Sequence, residues 1–285
     1  MLDASAGRPL RAIFLPLFDI LGNSLERCAG THACPAAAAT PLAVAAAFQR
    51  EGDVFAAEQI AYLHLLLNFR EFHLLERQLF ECWDALLGLT VRESARAVEA
   101  GIAAQRKWLE DLRVRGRAVL RRIEAEGRTG IVMLGRVYHH DPGLNHGLFE
   151  ELRKLGYPVL PQKSLPMDPE TLDQVFGADH PLDIEDVWTH SFSAGSSQKI
   201  RAAKFVARHP NLVGIEISNF KCGHDAPVYQ LVQAILESAG KPYFSFRALD
   251  ENKPSGSLRI RIETIDYFLR QRSSGSGSAR LALTD

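Results

Sequence analysis

Hydrophobic and polar positions divide the chain into two textures. Between Pro41 and Leu89, apolar residues recur at helical steps: Ile60, Leu63 and Leu67, then Leu75, Leu79 and Leu86. Val91 to Glu126 reads as one long helix with Val98, Ile102, Trp108, Leu112, Val119 and Ile123 as its apolar stripe. Arginines occupy the opposite face, and Gly127 supplies a stop. From Arg128 onward, short apolar runs alternate with amphipathic segments. Gly130–Leu134, Tyr157–Leu160, Leu212–Ile217 and Lys241–Phe246 read as strands. Gly143–Leu155, Ser196–Arg208, Pro227–Ala239 and Gly256–Leu269 read as helices. Strands separated by helices predict an α/β fold, a Rossmann-like and mostly parallel sheet with helices on both faces. A largely helical N-terminal segment precedes it. In such sheets ligands meet the loops at the carboxyl ends of the strands.

The remaining segments are less regular. Leu10 to Leu17 reads as one short strand, followed by a Gly22-Asn-Ser24 loop and a small-residue stretch from Cys28 to Pro35. Gln162 to Trp188, rich in Pro and Asp, reads as a surface excursion. Ser273 to Asp285 opens Ser-Ser-Gly-Ser-Gly-Ser and reads as a disordered tail. The expected domains are therefore 1–127 (Cys loop and helices), 128–272 (α/β) and the tail 273–285. No internal repeat is visible.

Composition adds bounds. The 285 residues are 46% apolar and 24% charged, enough for an ordinary core. Thirty-three Lys and Arg against 34 Asp and Glu give a net charge of −1, so nothing points to nucleic acid or a membrane surface. The basic run Arg113, Arg115, Arg117, Arg121, Arg122 could attract phosphate, but reads first as a solvated helix face balanced by nearby Glu. No apolar run approaches the roughly 20 residues of a membrane span. The start, Met1 to Leu17, lacks signal-peptide order, so the expected location is the cytoplasm. Four irregularly spaced cysteines do not form a disulfide framework; in a reducing compartment they are buried, catalytic or metal-bound.

Chemistry concentrates in two loops. Gly135 to Gly147 follows a strand and enters a helix, and carries Arg136, Tyr138, His139, His140, Asp141, Asn145 and His146. A helix start suits a phosphate or carboxylate. The alternative is that Asp141 or Asn145 caps the helix while the histidines bond the loop. Ser218 to Pro227 also lies between a strand and a helix and contains Cys222, Gly223, His224 and Asp225. A thiol there has access and backbone donors, which suits a nucleophile or metal ligand, and Gly223 lets backbone approach a bulky group. An inert buried thiol is the alternative. Cys28 and Cys34 flank a small-residue loop ending in Cys34-Pro35, the kind of loop that gives thiolates to iron–sulfur clusters. Cys82, on an apolar helix face, reads as core. Phosphate-binding glycine loops, a nucleophile elbow and a zincin helix are absent from the sequence.

Five ordered segments resemble one family. Gly135-Arg-Val-Tyr-His-His-Asp-Pro-Gly-Leu-Asn145, Val159 to Pro166, Ser197 to Arg208, Asn219-Phe-Lys-Cys222-Gly-His-Asp225 and Arg261-Ile-Glu263 are similar to signatures of the 2-hydroxyacyl-CoA dehydratase and acyl-CoA dehydratase activase-related proteins. Val137, Lys221 and His224 depart from those signatures. The resemblance implies Rossmann-like halves around an iron–sulfur cluster, of the 4Fe-4S type, that receives low-potential electrons from an ATP-driven activase. It implies Cys222, Cys34 and Cys28 as cluster ligands, Gly223 beside the cluster, and Arg136, Tyr138, His140, Asn145 and Asp225 lining a substrate cleft. The implied partners are an activase or sister subunit, with an acyl-CoA or other small substrate, in an oligomer. A module that keeps the fold without a cluster is the rival reading.

Overall fold

The computed structural model describes residues 9–22, 25, 30–177, 183–219, 222–247 and 255–273. Cys28, Lys221 and the tail from residue 274 lie outside the described residues. The described residues fall into two compact units: one within Met1–Ser24, Ala29–Gln105 and Phe192–Ala194, the other within Leu25–Cys28, Arg106–Ser191 and Gly195–Asp285. Among the described residues, no helix is long and apolar enough to cross a membrane.

The first unit holds β1 (Ala12–Phe14), β2 (Leu17–Phe18), α1 (Pro35–Gln49), α2 (Val54–Ala57), β3 (Ala61–Leu63), β4 (Leu66–Leu67) and α3 (Phe72–Leu87). The helix α4 (Val91–Ala125) starts in this unit and ends in the second, and Gly127, with φ +59°, stops it. β1 pairs in parallel with β3, and β2 with β4. The stretch 61–67, helical by its leucine spacing, is therefore strand. Its apolar run is too short for periodicity to decide, and the ladder decides instead: Leu15 N donates to Leu63 O at 2.9 Å, Leu17 N to Leu65 O at 3.0 Å. The buried cluster here is small, Leu67, Leu75 and Val98 with Leu79 and Ile102 packed on it, and Phe55 and Ile60 are buried outside it. The segment 192–194 returns to this unit, where His32 N donates to Phe192 O at 2.8 Å and Ala194 N to His32 O at 3.2 Å.

The second unit continues with β5 (Gly130–Leu134), α5 (Leu148–Lys154), β6 (Val159–Pro161), α6 (Pro169–Phe176), α7 (Ala194–Arg208), β7 (Leu212–Ile217), α8 (Tyr229–Ser238), β8 (Tyr243–Phe246) and α9 (Ser255–Ser273). Its four strands are all parallel in the order β6-β5-β7-β8. Alternate side chains feed two cores. Val132, Leu134, Leu160, Leu212 and Tyr243 join residues of α4, α6, α7 and α8. Ile131, Met133, Ile215, Ile217, Phe244 and Phe246 join α5 and α9. Each large side chain so buried contributes roughly 1.5–3 kcal/mol before the entropy of ordering it. The α/β architecture read from the sequence is the one observed.

The described residues of the stretch 162–188 do not form a surface excursion. Leu165, Leu172, Phe176 and Ile184 are all in the first of these cores. Its Pro and Asp open a helix rather than a loop: Asp168 Oδ1 accepts from Thr171 N at 3.1 Å, and Pro169 takes the first helical position.

This strand order sets the site. The chain leaves β5 toward β6 and leaves β7 toward β8, in opposite directions from the sheet centre. The carboxyl ends of β5 and β7 therefore flank a crevice, the place where parallel sheets of this kind hold ligands.

Candidate active site at the carboxyl ends of β5 and β7

Both chemistry-bearing loops open from this crevice. Backbone register brings them together: Met133 lies opposite Ile215 and Leu134 opposite Glu216, so Arg136 and Ser218 emerge side by side. The chain turns tightly after β5. A Cβ on Gly135 would sit 2.9 Å from His139 Nδ1, so a larger residue would push that ring aside. His139 Nδ1 instead accepts from Arg136 N at 3.0 Å. Asn145 locks the far end of the loop, donating to His139 O at 3.0 Å and accepting from Gly147 N at 2.9 Å. Asp141 holds Gly143 N at 2.8 Å. Burial and the Lys199 charge lower His139 to about 4, so it stays neutral and able to accept.

The loop after β7 folds back on the same spot. Asp225 N donates to Cys222 O at 3.0 Å and Ala226 N to the same carbonyl at 3.1 Å. That turn points the Asp225 carboxylate inward, where it is fully buried. Arg136 Nε donates to Asp225 Oδ1 at 2.9 Å, and the same guanidinium reaches Cys222 Sγ at 3.7 Å and Ser196 Oγ at 3.4 Å through Nη2. Ser218 Oγ donates to Asp225 Oδ2 at 2.7 Å. Ser196, at the start of α7, donates to His224 O at 2.7 Å and so ties that helix to the Cys222 loop. A Cβ on Gly195 would strike Arg136 Nη1 at 2.4 Å, which is why the smallest residue stands there.

Beneath the loops lies a charged pair that the sequence reading passed over. Lys199 Nζ, fully buried on α7, is 3.1 Å from Glu216 Oε1 and 3.2 Å from Asp225 Oδ2. Glu216, inside β7, also accepts from the Tyr243 hydroxyl, which burial and that carboxylate push above its ordinary range. Two buried cations, Arg136 and Lys199, thus face two buried carboxylates, Asp225 and Glu216. Burial alone would raise Asp225; Lys199, Arg136 and the Ser218 hydroxyl outweigh it and hold the carboxyl below its usual value. The signal was present in the sequence: a glutamate within the apolar run Leu-Val-Gly-Ile-Glu-Ile is out of place unless it is paired.

The remaining expected residues are placed as follows. Tyr138 is exposed, its ring tilted against that of His139 with centroids 4.4 Å apart. His140 lies edge-on to Phe149 at 5.7 Å, and burial with the nearby Lys163 lowers it. Gly223 is exposed, with nothing within 4 Å of an added Cβ. Cys222 is half-buried in the crevice. Cys34 belongs to the first unit, where it precedes α1 in extended backbone and leaves its thiol out of the cap. Cys82, read as core, is half-buried on α3, and burial raises its thiol. Among the described residues, no group of three or more His, Cys, Asp or Glu is placed to hold a metal ion.

The model of a family described as the CoA enzyme activase uncharacterised domain (DUF2229) matches residues 6–165. No curated protein and no solved structure matches the chain. The matched span takes in the first unit up to α4 and continues through the Arg136 loop to the end of β6; the Cys222 loop and α7 follow it. Most of the match thus falls in the N-terminal half, ahead of the five segments that carried the resemblance. With more than half of its length matched, the chain belongs to the CoA enzyme activase uncharacterised domain family.

Proposed function

We propose that this CoA enzyme activase-related protein is the iron–sulfur-binding component of a 2-hydroxyacyl-CoA dehydratase-like reductive system, working beside an ATP-dependent activase or a sister subunit in the cytoplasm. One observation carries the reading. The Cys222 sulfur stands in the switch-point crevice against a guanidinium that Asp225 holds in place. Arg is permanently cationic and donor-only, so the sulfur it faces is supplied with compensation for negative charge, free or metal-bound. In this reading Arg136, Tyr138, His140, Asn145 and Asp225 line the cleft that admits an acyl-CoA or other small substrate.

The donor set supplies part of a cluster's needs. Within the described crevice there is one thiol, whereas a 4Fe-4S cluster takes four thiolates. Cys34, Cys28 or cysteines of a partner chain would furnish the others. A bound cluster would supply one-electron chemistry; the chain's own part is to anchor it at Cys222, offset its charge with Arg136 and shape the cleft.

Iron and acid-labile sulfide measured on anaerobically purified protein test this. Wild type and Cys82→Ser should carry both, and Cys222→Ser should lose them. Iron-free wild type, purified anaerobically with its partner subunit, would sink the reading. The rival, a fold-retaining assembly module, is favoured by the lack of a metal-holding group among the described residues. It predicts iron-free protein whose partner is retained equally by wild type and Cys222→Ser.

A further inference from the structure

The basic run on α4 divides on the folded chain. Arg115, Arg121 and Arg122 are exposed, but Arg113 and Arg117 turn toward the second unit's interior and are only partly accessible. Gly116 explains how close α4 comes: a Cβ there would fall 1.8 Å from the Ser164 carbonyl oxygen, so this turn of helix lies directly on the loop after β6. Arg117 Nη2 pairs with Asp168 Oδ2 in the same region at 2.7 Å. Further along, Leu120 and Ile123 of α4 share a core with Ile200 and Ala203 of α7. Between those residues α7 presents Arg201, only 6% exposed.

Arg201 is anomalous. Its Nη1 is shut off from solvent and has no hydrogen-bond partner, and the same is true of Arg113 Nε and Arg117 Nε. Arg117 has Asp168, and Arg113, partly accessible, has the Glu110 charge one helical turn back though not at ion-pair distance; Arg201 forms no ion pair among the described residues. Burying a charge without a counterion costs several kcal/mol. A lysine or a carboxylate would escape by changing protonation. Arginine cannot: burial, with Arg113 adding to it, lowers Arg201 only to about 10, so it is still charged at neutral pH.

We propose that Arg201 and Arg113 form an oxyanion site, at the junction of α4, α7 and the loop after β6, that takes a phosphate group. Two guanidiniums offer two positive charges and paired N–H forks. A dianionic phosphate meets both, where one carboxylate would leave a charge unanswered. This proposal does not depend on the reading of the Cys222 crevice: iron content reports one, phosphate binding the other.

The full chain is titrated with inorganic phosphate, and separately with adenosine monophosphate, each against chloride at matched ionic strength, following thermal unfolding and calorimetric binding. Phosphate should raise the melting temperature saturably. Arg201→Met should weaken the apparent affinity by at least about tenfold, as loss of a charged hydrogen-bonding partner does, while the exposed Arg115→Ala leaves it unchanged. If Arg201→Met does not fold, Arg113→Gln carries the same readout. A stronger response to the nucleotide identifies the phosphate as part of a larger ligand; a response to phosphate alone identifies the free ion. The site is refuted if neither probe exceeds chloride. It is equally refuted if Arg201→Met, relieved of an unpaired charge, melts higher than wild type in every salt and keeps any response to phosphate.

Discussion

Lys199 is the residue on which the crevice rests. It is the cation that Glu216 and Asp225 share, and all three side chains are fully buried. Removing one member of such a group leaves charges with no solvent to turn to. Lys199→Met should therefore destabilise the fold by about 3–5 kcal/mol. Replacing Glu216 by Gln in the same chain should recover part of that loss. Urea unfolding of the single and double variants checks this, and a single variant within 1 kcal/mol of wild type would show that the pair is not what holds the site. His139 makes the stability depend on pH. Its folded value is about 4 against an ordinary 6.5. The unfolded chain binds the extra proton between those values, so the contribution is complete above pH 6.5, declines as pH falls, and is gone below 4. The shift sets an upper bound of roughly 3 kcal/mol. His139→Gln should flatten the stability loss measured by denaturant between pH 7 and 4.5; an equal loss in both proteins would assign the effect to other groups. Neither Lys199 nor His139 was legible as structural from the sequence. A lysine on a helix reads as its polar face, and a histidine in a polar loop reads as a candidate ligand, until the fold shows what each one touches.

At the scale of elements, α4 illustrates how a single glycine decides a packing distance. Replacing an exposed helical Gly by Ala should stabilise by up to about 1 kcal/mol. Gly101, with nothing within 4 Å of its missing Cβ, should behave so. Gly116 should do the reverse, since its Cβ would meet backbone at Ser164 and backbone cannot swing aside. Gly116→Ala should cost about 1–3 kcal/mol net, the usual penalty of overpacking. The two melting temperatures should move in opposite directions, and a parallel rise would mean that α4 does not sit tightly on the loop. Elements buried on both faces were legible almost to the residue. β5 and β7 read as continuous apolar runs and occur at Gly130–Leu134 and Leu212–Ile217. β3 and β4 were not legible, because a short leucine-rich run fits either period and only its partners β1 and β2 settle the matter. The Asp168-Pro169 helix start misled for a related reason: the same residues punctuate turns and open helices.

At the scale of the whole molecule, the two units differ in how much apolar surface they bury. The second has two extensive cores around a four-stranded sheet; the first has one small cluster around Leu67, Leu75 and Val98, a few further buried side chains such as Phe55 and Ile60, and two-stranded pairings. Local opening free energies follow such differences. In native-state hydrogen exchange, the amides of β3 and β4 should exchange well before those of β5 and β7. Equal protection would show that the chain opens only as a whole.

The return of residues 192–194 to the first unit has a consequence for biosynthesis. The backbone partners that His32 requires, Phe192 and Ala194, leave the ribosome only after α4, β5, β6 and α6 have all been made. The N-terminal unit must therefore wait, unfinished at that seam, while about half of its neighbour is translated, and a nascent chain halted before α7 would emerge with the His32 edge still open.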